Sequence, residues 1–285
     1  LKKLTTLEGK GIIQTKIDLI VELLHSANAI ESKYILRTVM NDLKIGVGNG
    51  ILRDGIVEYC FQPKDIEEKK KFSEEVQAAY NKTTDFAEVF QKACEGKLDE
   101  IKLSAGKPIK VMLYPKASNA EDAFRIVGKP AAFEYKYDGF RIMINKSENG
   151  EIKLFTRRLE DVSNQFPDLV EFVKENINAK SFIIDSEAVG YDPKTKTYKE
   201  FQAISQRIRR KYEIEKLIKE IPVELKVFDI VYLNGESFIE KPYQQRRELL
   251  EEVINEKEWQ ITLAERIVTE NKEKAEEFFN KAIEE

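Results

Sequence analysis

The hydrophobic period changes once along this chain, near residue 103, and that change limits the fold more than any other feature. Before it, apolar residues recur at three- and four-residue spacing in KIDLIVELL, SKYILRTVMNDL, ILRDGIVEYCF and DFAEVFQKA, the pattern of amphipathic helices. LSAGKPIKVMLYPK then brings Gly106, Pro108 and Pro115 close together. After a short helix, SNAEDAFRIV, with Ser118 and Glu121 spaced as a capping box, strands dominate. Residues 131–138 and 141–146 are strand-like, and Asn149-Gly150 marks a hairpin turn before EIKLFTR. SFIIDSEAVGY and LKVFDIVYL read as buried strands, FPDLVEFVKENI and PYQQRRELLEEVI as helices. The expected architecture is two domains: an all-α domain over 1–105, then an α+β domain with antiparallel sheets over 106–285.

Composition narrows the chemistry. With 42% hydrophobic and 34% charged residues in 285, the chain can bury a sizeable core and is not disordered. No apolar run approaches a membrane span, so no membrane partner is expected, and a cytoplasmic monomer of prokaryotic type is the expectation. Cys60 and Cys94 lack metal-ligand spacing and read as reduced thiols. His25, the single histidine, lies in a helical stretch and is given no role, which leaves neither histidine catalysis nor a zinc site. The net charge of −4 argues mildly against nucleic acid. However, the acid is concentrated in LLEEVINEKEWQ and ENKEKAEEFFNKAIEE, which read as solvated helix faces, while SQRIRRKY is locally basic.

The segment AFEYKYDGFRIMI, residues 131–143, carries the chemistry. Strand alternation sets Glu134, Lys136 and Asp138 on one face and Phe133, Tyr135 and Tyr137 on the other. A lysine attacks only as the neutral amine, and neighbouring carboxylates oppose that state. The two acids make sense if they bind something else, a divalent metal or a nucleotide base. An amine attacking phosphorus then becomes plausible chemistry, with cations stabilising the developing charge. Gly139 allows a turn, after which Arg141 can return to meet a phosphate. In isolation, KYDGFR is equally an Asp-Gly hairpin carrying a surface ion pair.

EYKYDGFR resembles the lysine-nucleotidylation motif, K-x-D-G-x-R, of the ATP-dependent DNA ligases and their relatives. LFTRRLEDVSNQFPDL, SFIIDSEAVGYD, FQAISQRIRRKY and LKVFDIVYLNGESFIEKPYQQRRELL follow in the order and at the spacing of the archaeal and eukaryotic DNA ligases. SKYILRTVMNDLKIGVGNGILRDGI is similar to the DNA-binding domain that precedes their catalytic core. The resemblance implies a nucleotidyltransferase fold, ATP with magnesium or another divalent metal as cofactors, and nicked double-stranded DNA as partner. Family members also engage a sliding clamp, though no segment here locates that contact.

Roles follow from the resemblance, position by position. Lys136 would attack the α-phosphate of ATP and hold AMP, and Glu134 would accept a hydrogen bond from the adenine amino group. Asp138 and Arg141 would position ribose and phosphates and act at the nick. Arg157, rather than Arg158, would lie near the ribose and 5′-phosphate. Glu187 would contact the ribose or a metal, and Phe228 would stack on adenine. Lys44, Gly46, Gly48 and Arg53, with Gly50, would meet the duplex backbone through close-approaching N–H groups and charge. Arg207 and Arg209, beside Arg210 and Lys211, would be a second DNA contact.

Each residue also has an ordinary alternative. Either arginine of FTRR could pair with Glu160 or Asp161, Phe228 could be core, KIGVGNG a helix connection, and SQRIRRKY a solvated loop. The family pattern continues past residue 285, with a glutamate motif, a strand bearing two lysines and a small β-barrel. These 285 residues alone are therefore expected to seal nicks poorly. The competing readings are an RNA ligase or capping guanylyltransferase, an NAD-dependent ligase, and a DNA-binding module without catalysis.

Overall fold

The computed structural model describes residues 2–5, 7, 12–40, 46–111, 115–208, 210 and 212–284. The first part is helical: α1 (Lys2–Thr5), α2 (Ile12–His25), α3 (Ala29–Val39), α4 (Asn49–Ile56), α5 (Ile66–Thr83) and α6 (Phe86–Cys94). Capping fixes where several begin. Asn28 and Glu31 form a reciprocal capping box on α3, and Asp65 and Asp85 accept backbone N–H groups at the starts of α5 and α6. Ile56, Val57, Val76, Ala79, Tyr80, Val89 and Ala93 form a small core among α4–α6, whereas α2 and α3 bury no side chain.

One cysteine expectation is corrected here. Cys60, in the single π turn that extends α4, and Cys94, the last residue of α6, are joined as a disulfide across 34 residues. Sequence spacing carries no information about which helix ends meet, and α4–α6 packing brings these two Cα atoms to 4.9 Å.

The second part contains α7 (Ala120–Val127), β1 (Ala131–Glu134), β2 (Phe140–Lys146), β3 (Ile152–Thr156), α8 (Pro167–Asn176) and β4 (Phe182–Gly190). It continues with α9 (Phe201–Ile208), α10 (Ile214–Glu220), β5 (Val223–Leu233), β6 (Glu236–Ser237), α11 (Tyr243–Val253), β7 (Ile261–Leu263), β8 (Arg266–Thr269) and α12 (Lys272–Glu284). β2–β6 run in the order β3-β2-β4-β5-β6, all antiparallel, and β7 adds to β5 as the one parallel pair. β1 and β8 form a separate antiparallel ribbon. The architecture is thus a helical region followed by an α+β domain, with the main core between one face of the large sheet and α8, α9 and α11.

The hairpin expected at Asn149-Gly150 forms, with Gly150 at φ +85° and the Ser147 N–H donating to Glu151 O at 2.9 Å. The cap of α7 shifts by one residue: Asn119, not Ser118, accepts from the third helical N–H, and the Asp122 carboxylate accepts from the Ser118 N–H at 3.0 Å. The AFEYKYDGFRIMI segment is not a hairpin at all, because β1 and β2 belong to different sheets. Gly139 is needed for close approach rather than for a turn. A Cβ there would stand 2.3 Å from the Ala188 carbonyl oxygen, where β2 begins against β4. Finally, α12 is not a freely solvated helix: Ala275 is buried with Phe124 and Ala131, and Phe278 lies 4.7 Å from the Tyr135 ring.

Candidate active site

The second face of the large sheet holds the site. Its apolar end, Met143, Phe155, Ile183 and Val231, is covered by Leu103 and Ile109. Two residues further along the strands the same face turns ionic. Asp185 and Asp229 stand opposite one another in the β4–β5 register. Like charges placed so would repel, but each carboxylate has its own guanidinium. Arg141 from β2 donates Nε and Nη2 to the two oxygens of Asp185. Arg246 from α11 grips Asp229 at 2.7 and 2.9 Å. Burial pushes the Asp185 carboxyl up, and Arg141 pulls it back.

Phe228 is the one part-exposed residue in the otherwise buried β5. The register skips it between Asp229 and Val227, a bulge that frees the side chain from the alternation of its strand. It joins none of the buried core clusters, and the Arg141 guanidinium lies 5.3 Å from its ring centroid. Glu187 pairs in register with Arg141 on one side and Lys226 on the other. Desolvation raises its carboxyl to about 7, against the pull of Lys136 and Arg141. Arg157 follows the last residue of β3. It is one step past the Ile142–Thr156 pair and so level with Arg141; it is exposed, and among the described residues it has no ion-pair partner.

Lys136 sits on the link between the ribbon and the large sheet. Its amine makes no hydrogen bond or ion pair among the described residues. It borders a cavity of about 330 Å³ with Asp138, Tyr137, Tyr198, Lys199 and Lys226, closed on one side by Ala282 of α12. Asp138 accepts the Phe201 N–H at the start of α9 at 3.2 Å, which anchors the link. Burial pushes the Tyr137 hydroxyl up to about 12. Lys226 is buried beside the cavity, donating to Glu224 at 3.0 Å and to Thr262 at 2.9 Å, while Tyr198 donates to the other Glu224 oxygen. Glu134 and Phe228 do not line this cavity. Glu134 turns beneath α11, accepting from Tyr243 and lying 3.7 Å from Arg247.

The expected DNA contacts separate. Gly46 has φ +69° and Gly48 caps α4 with no side-chain bond, leaving that helix start open. Arg53 is folded back on Asp54 at 2.7 Å. Arg207 is corrected: it is 0% exposed, donating to Gln165 O, Ile221 O and Asp168, and stacks 4.4 Å from Phe166. A buried, fully engaged guanidinium cannot reach a phosphate. Arg210 is exposed, and Lys44, Arg209 and Lys211 lie outside the described residues. Sequence reasoning missed Arg246, Arg247, Tyr243 and Arg266 around the site. The apolar runs FIIDSEAV, with Asp185 and Glu187, and VFDIVY, with Asp229, were a usable signal that cations must come from elsewhere.

Among the described residues no three acids, histidines or cysteines cluster as a metal cage. Glu187, desolvated and within electrostatic reach of Lys136 though it does not itself line the cavity, fits a magnesium ion held mainly by substrate phosphates, the usual manner for that ion. No described helix is long and apolar enough to cross a membrane.

Lys136 on the link, the desolvated Glu187 on β4 and the bulged Phe228 on β5 thus belong to one α+β domain built on an antiparallel sheet. The model of the ATP-dependent DNA ligase domain matches residues 111–285, and that of the DNA ligase N terminus matches residues 1–57. The chain is 46% identical to a DNA ligase of Nanoarchaeum equitans over 99% of its own length and 49% of that protein. It is 38% identical to a DNA ligase of Thermococcus fumicolans and 36% identical to one of Methanopyrus kandleri, at the same coverage. The overlay on a solved mycobacterial DNA ligase D complexed with ATP and MES is loose, with TM-score 0.38 at 25% identity over 53% of this chain and 44% of that one. The chain belongs to the ATP-dependent DNA ligase family, and it spans about half the length of the curated relatives it matches.

Proposed function

We propose that this chain carries the nucleotide-activating step of DNA nick sealing, with Lys136 as the nucleophile. The observation that carries this reading is the Lys136 amine itself, unpaired among the described residues, on a rigidly anchored link beside a cavity and Glu187. The Nζ lone pair attacks the α-phosphorus of ATP; a P–N bond forms, the bond to the β-phosphate oxygen breaks, pyrophosphate leaves and the amine loses a proton. A 5′-phosphate oxygen at a nick then takes the adenylyl group from Lys136, and the 3′-hydroxyl displaces AMP to close the backbone.

Glu134 accepts from the adenine amino group, Phe228 stacks on the base, and Asp138 helps position ribose and phosphates. Arg141, held by Asp185, and the unpaired Arg157 meet phosphate at one level of the sheet. Glu187 would hold a divalent ion, which when bound neutralises charge on the phosphates. The open start of α4, with Gly46 and Gly48, suits a duplex phosphate.

Intact-mass measurement near neutral pH, after incubation with ATP and magnesium, tests the first step. It is run on this chain and on a chain lengthened to the relatives' span. An adenylyl adduct on the longer chain that disappears in Lys136→Ala is the expected result. No adduct on the longer chain with any nucleotide sinks the proposal.

A further inference from the structure

Glu134 is held by more of the protein than a simple surface carboxylate. It ends β1 with its side chain 27% exposed, and Oε1 accepts from the Tyr243 hydroxyl and lies 3.7 Å from Arg247 Nη1. Arg266 is its register partner across the ribbon and lies 5.7 Å from the Tyr243 ring centroid. Arg247 is 6% exposed; it donates to Ala264 O at 3.0 Å and to Glu251 at 3.2 Å, and Arg266 reaches the same Glu251 oxygen. On each arginine Nη1 is buried without a hydrogen-bond partner among the described residues. The Tyr243 hydrogen bond and the 3.7 Å approach of Arg247 both fall on Oε1, and among the described residues Oε2 accepts no hydrogen bond. Burial raises the Glu134 carboxyl, with Asp229 adding to the rise, while Tyr243, Arg247 and Arg266 draw it down.

We propose that Tyr243, Arg247 and Arg266 are positioning residues that fix the Glu134 carboxylate with Oε2 outward and thereby set a preference for adenine over guanine nucleotides. The proposal rests on the reading that Glu134 meets the base. An ionised carboxylate locked in one orientation accepts a proton from the adenine amino group. Against guanine the same oxygen faces the 6-oxo group, acceptor to acceptor, which penalises the wrong base. A carboxyl free to rotate or to take up a proton could donate to that oxo group, and discrimination would fade. The two cations draw the partly desolvated carboxyl back toward its ionised form, and the tyrosine hydroxyl, a directional donor, sets its plane.

Equilibrium titration with ATP and with GTP tests this on the chain itself, on Tyr243→Phe, on Arg247→Lys, on Glu134→Gln and on the Tyr243→Phe/Glu134→Gln double variant. Tyr243→Phe should lower the ATP-over-GTP affinity ratio about tenfold, the worth of one hydrogen bond to a charged group. In the Glu134→Gln background the same change should move the ratio by less than about twofold, because the two residues act as one unit. Arg247→Lys keeps the charge but loses the fork, and should lower the ratio less than Tyr243→Phe does. Equal effects of Tyr243→Phe in both backgrounds, or an unmoved ratio, would overturn the proposal while leaving the base-contact reading standing. The same series is run on a chain lengthened to the relatives' span; if that chain, unsubstituted, binds no ATP, the base-contact reading fails and the inference goes with it. Should Arg247→Lys not fold, the Tyr243 cycle decides alone, since loss of one hydroxyl from a retained ring leaves the packing intact.

Discussion

Along the second face of the large sheet, Met143, Ile183 and Val231 pack dry against Leu103 and Ile109. Two residues further along the same strands, Arg141, Asp185 and Asp229 form paired ions. Both ends lie on the same strands, and what differs most is what covers the face. The dry end needs only shape and area, and the linker after the helical region supplies both. The ionic end needs a cation for every acid, and these come from a neighbouring strand and from α11. Charges held in place by distant elements are already oriented when a substrate arrives, which is why the second end is the one proposed for chemistry.

The largest expected effect comes from breaking a pair at the ionic end. Asp229→Ala leaves Arg246, 10% exposed, without its carboxylate and should cost ~3–5 kcal/mol in chemical denaturation. Replacing both partners by leucine removes the stranded charge, so the double variant should recover much of that loss. If the double variant is as unstable as the single, the ionic end is held by packing and the contrast between the two ends disappears.

At the dry end, Ile183→Ala should cost ~3 kcal/mol, from lost transfer energy plus the cavity left in a fully buried position. The nucleotide site should be spared, so adduct formation at Lys136, scaled to folded protein, should not change. Loss of adduct out of proportion to loss of fold would mean that the two ends are coupled.

Much of this contrast was legible in the sequence, and the reasons for the gaps are physical. FIIDSEAV and LKVFDIVYL announced buried strands, each carrying an acid, and the motif series placed Lys136, Glu187 and Phe228 before any fold was known. Period-two alternation tells which residues share a face but not which strand lies beside them. Hence β1 and β2 read as one hairpin although they enter different sheets. Arg207 stood in the basic run SQRIRRKY and read as a phosphate contact, because a run of charge says nothing of an Asp168 and a Phe166 some forty residues earlier. The Tyr243–Arg247–Arg266 set around Glu134 spans more than a hundred residues of chain and had no local signal; only the fold assembles it.

A pH slope sharpens the contrast further. Glu187 is raised from 4.5 to about 7 in the folded chain because it is desolvated. Between those values the folded state binds more protons than the unfolded one, so stability falls as pH rises through that window and levels above about 7. Glu187→Gln removes the titrating group, and the stability profile of the metal-free protein should flatten between about 5 and 7. Ile183→Ala, at the dry end, should displace the whole profile downward without changing its slope. A profile for Glu187→Gln parallel to that of the unsubstituted protein would show that Glu187 is solvated in solution. Glu187 would then lack the desolvation on which its reading as a cation or ribose contact rests.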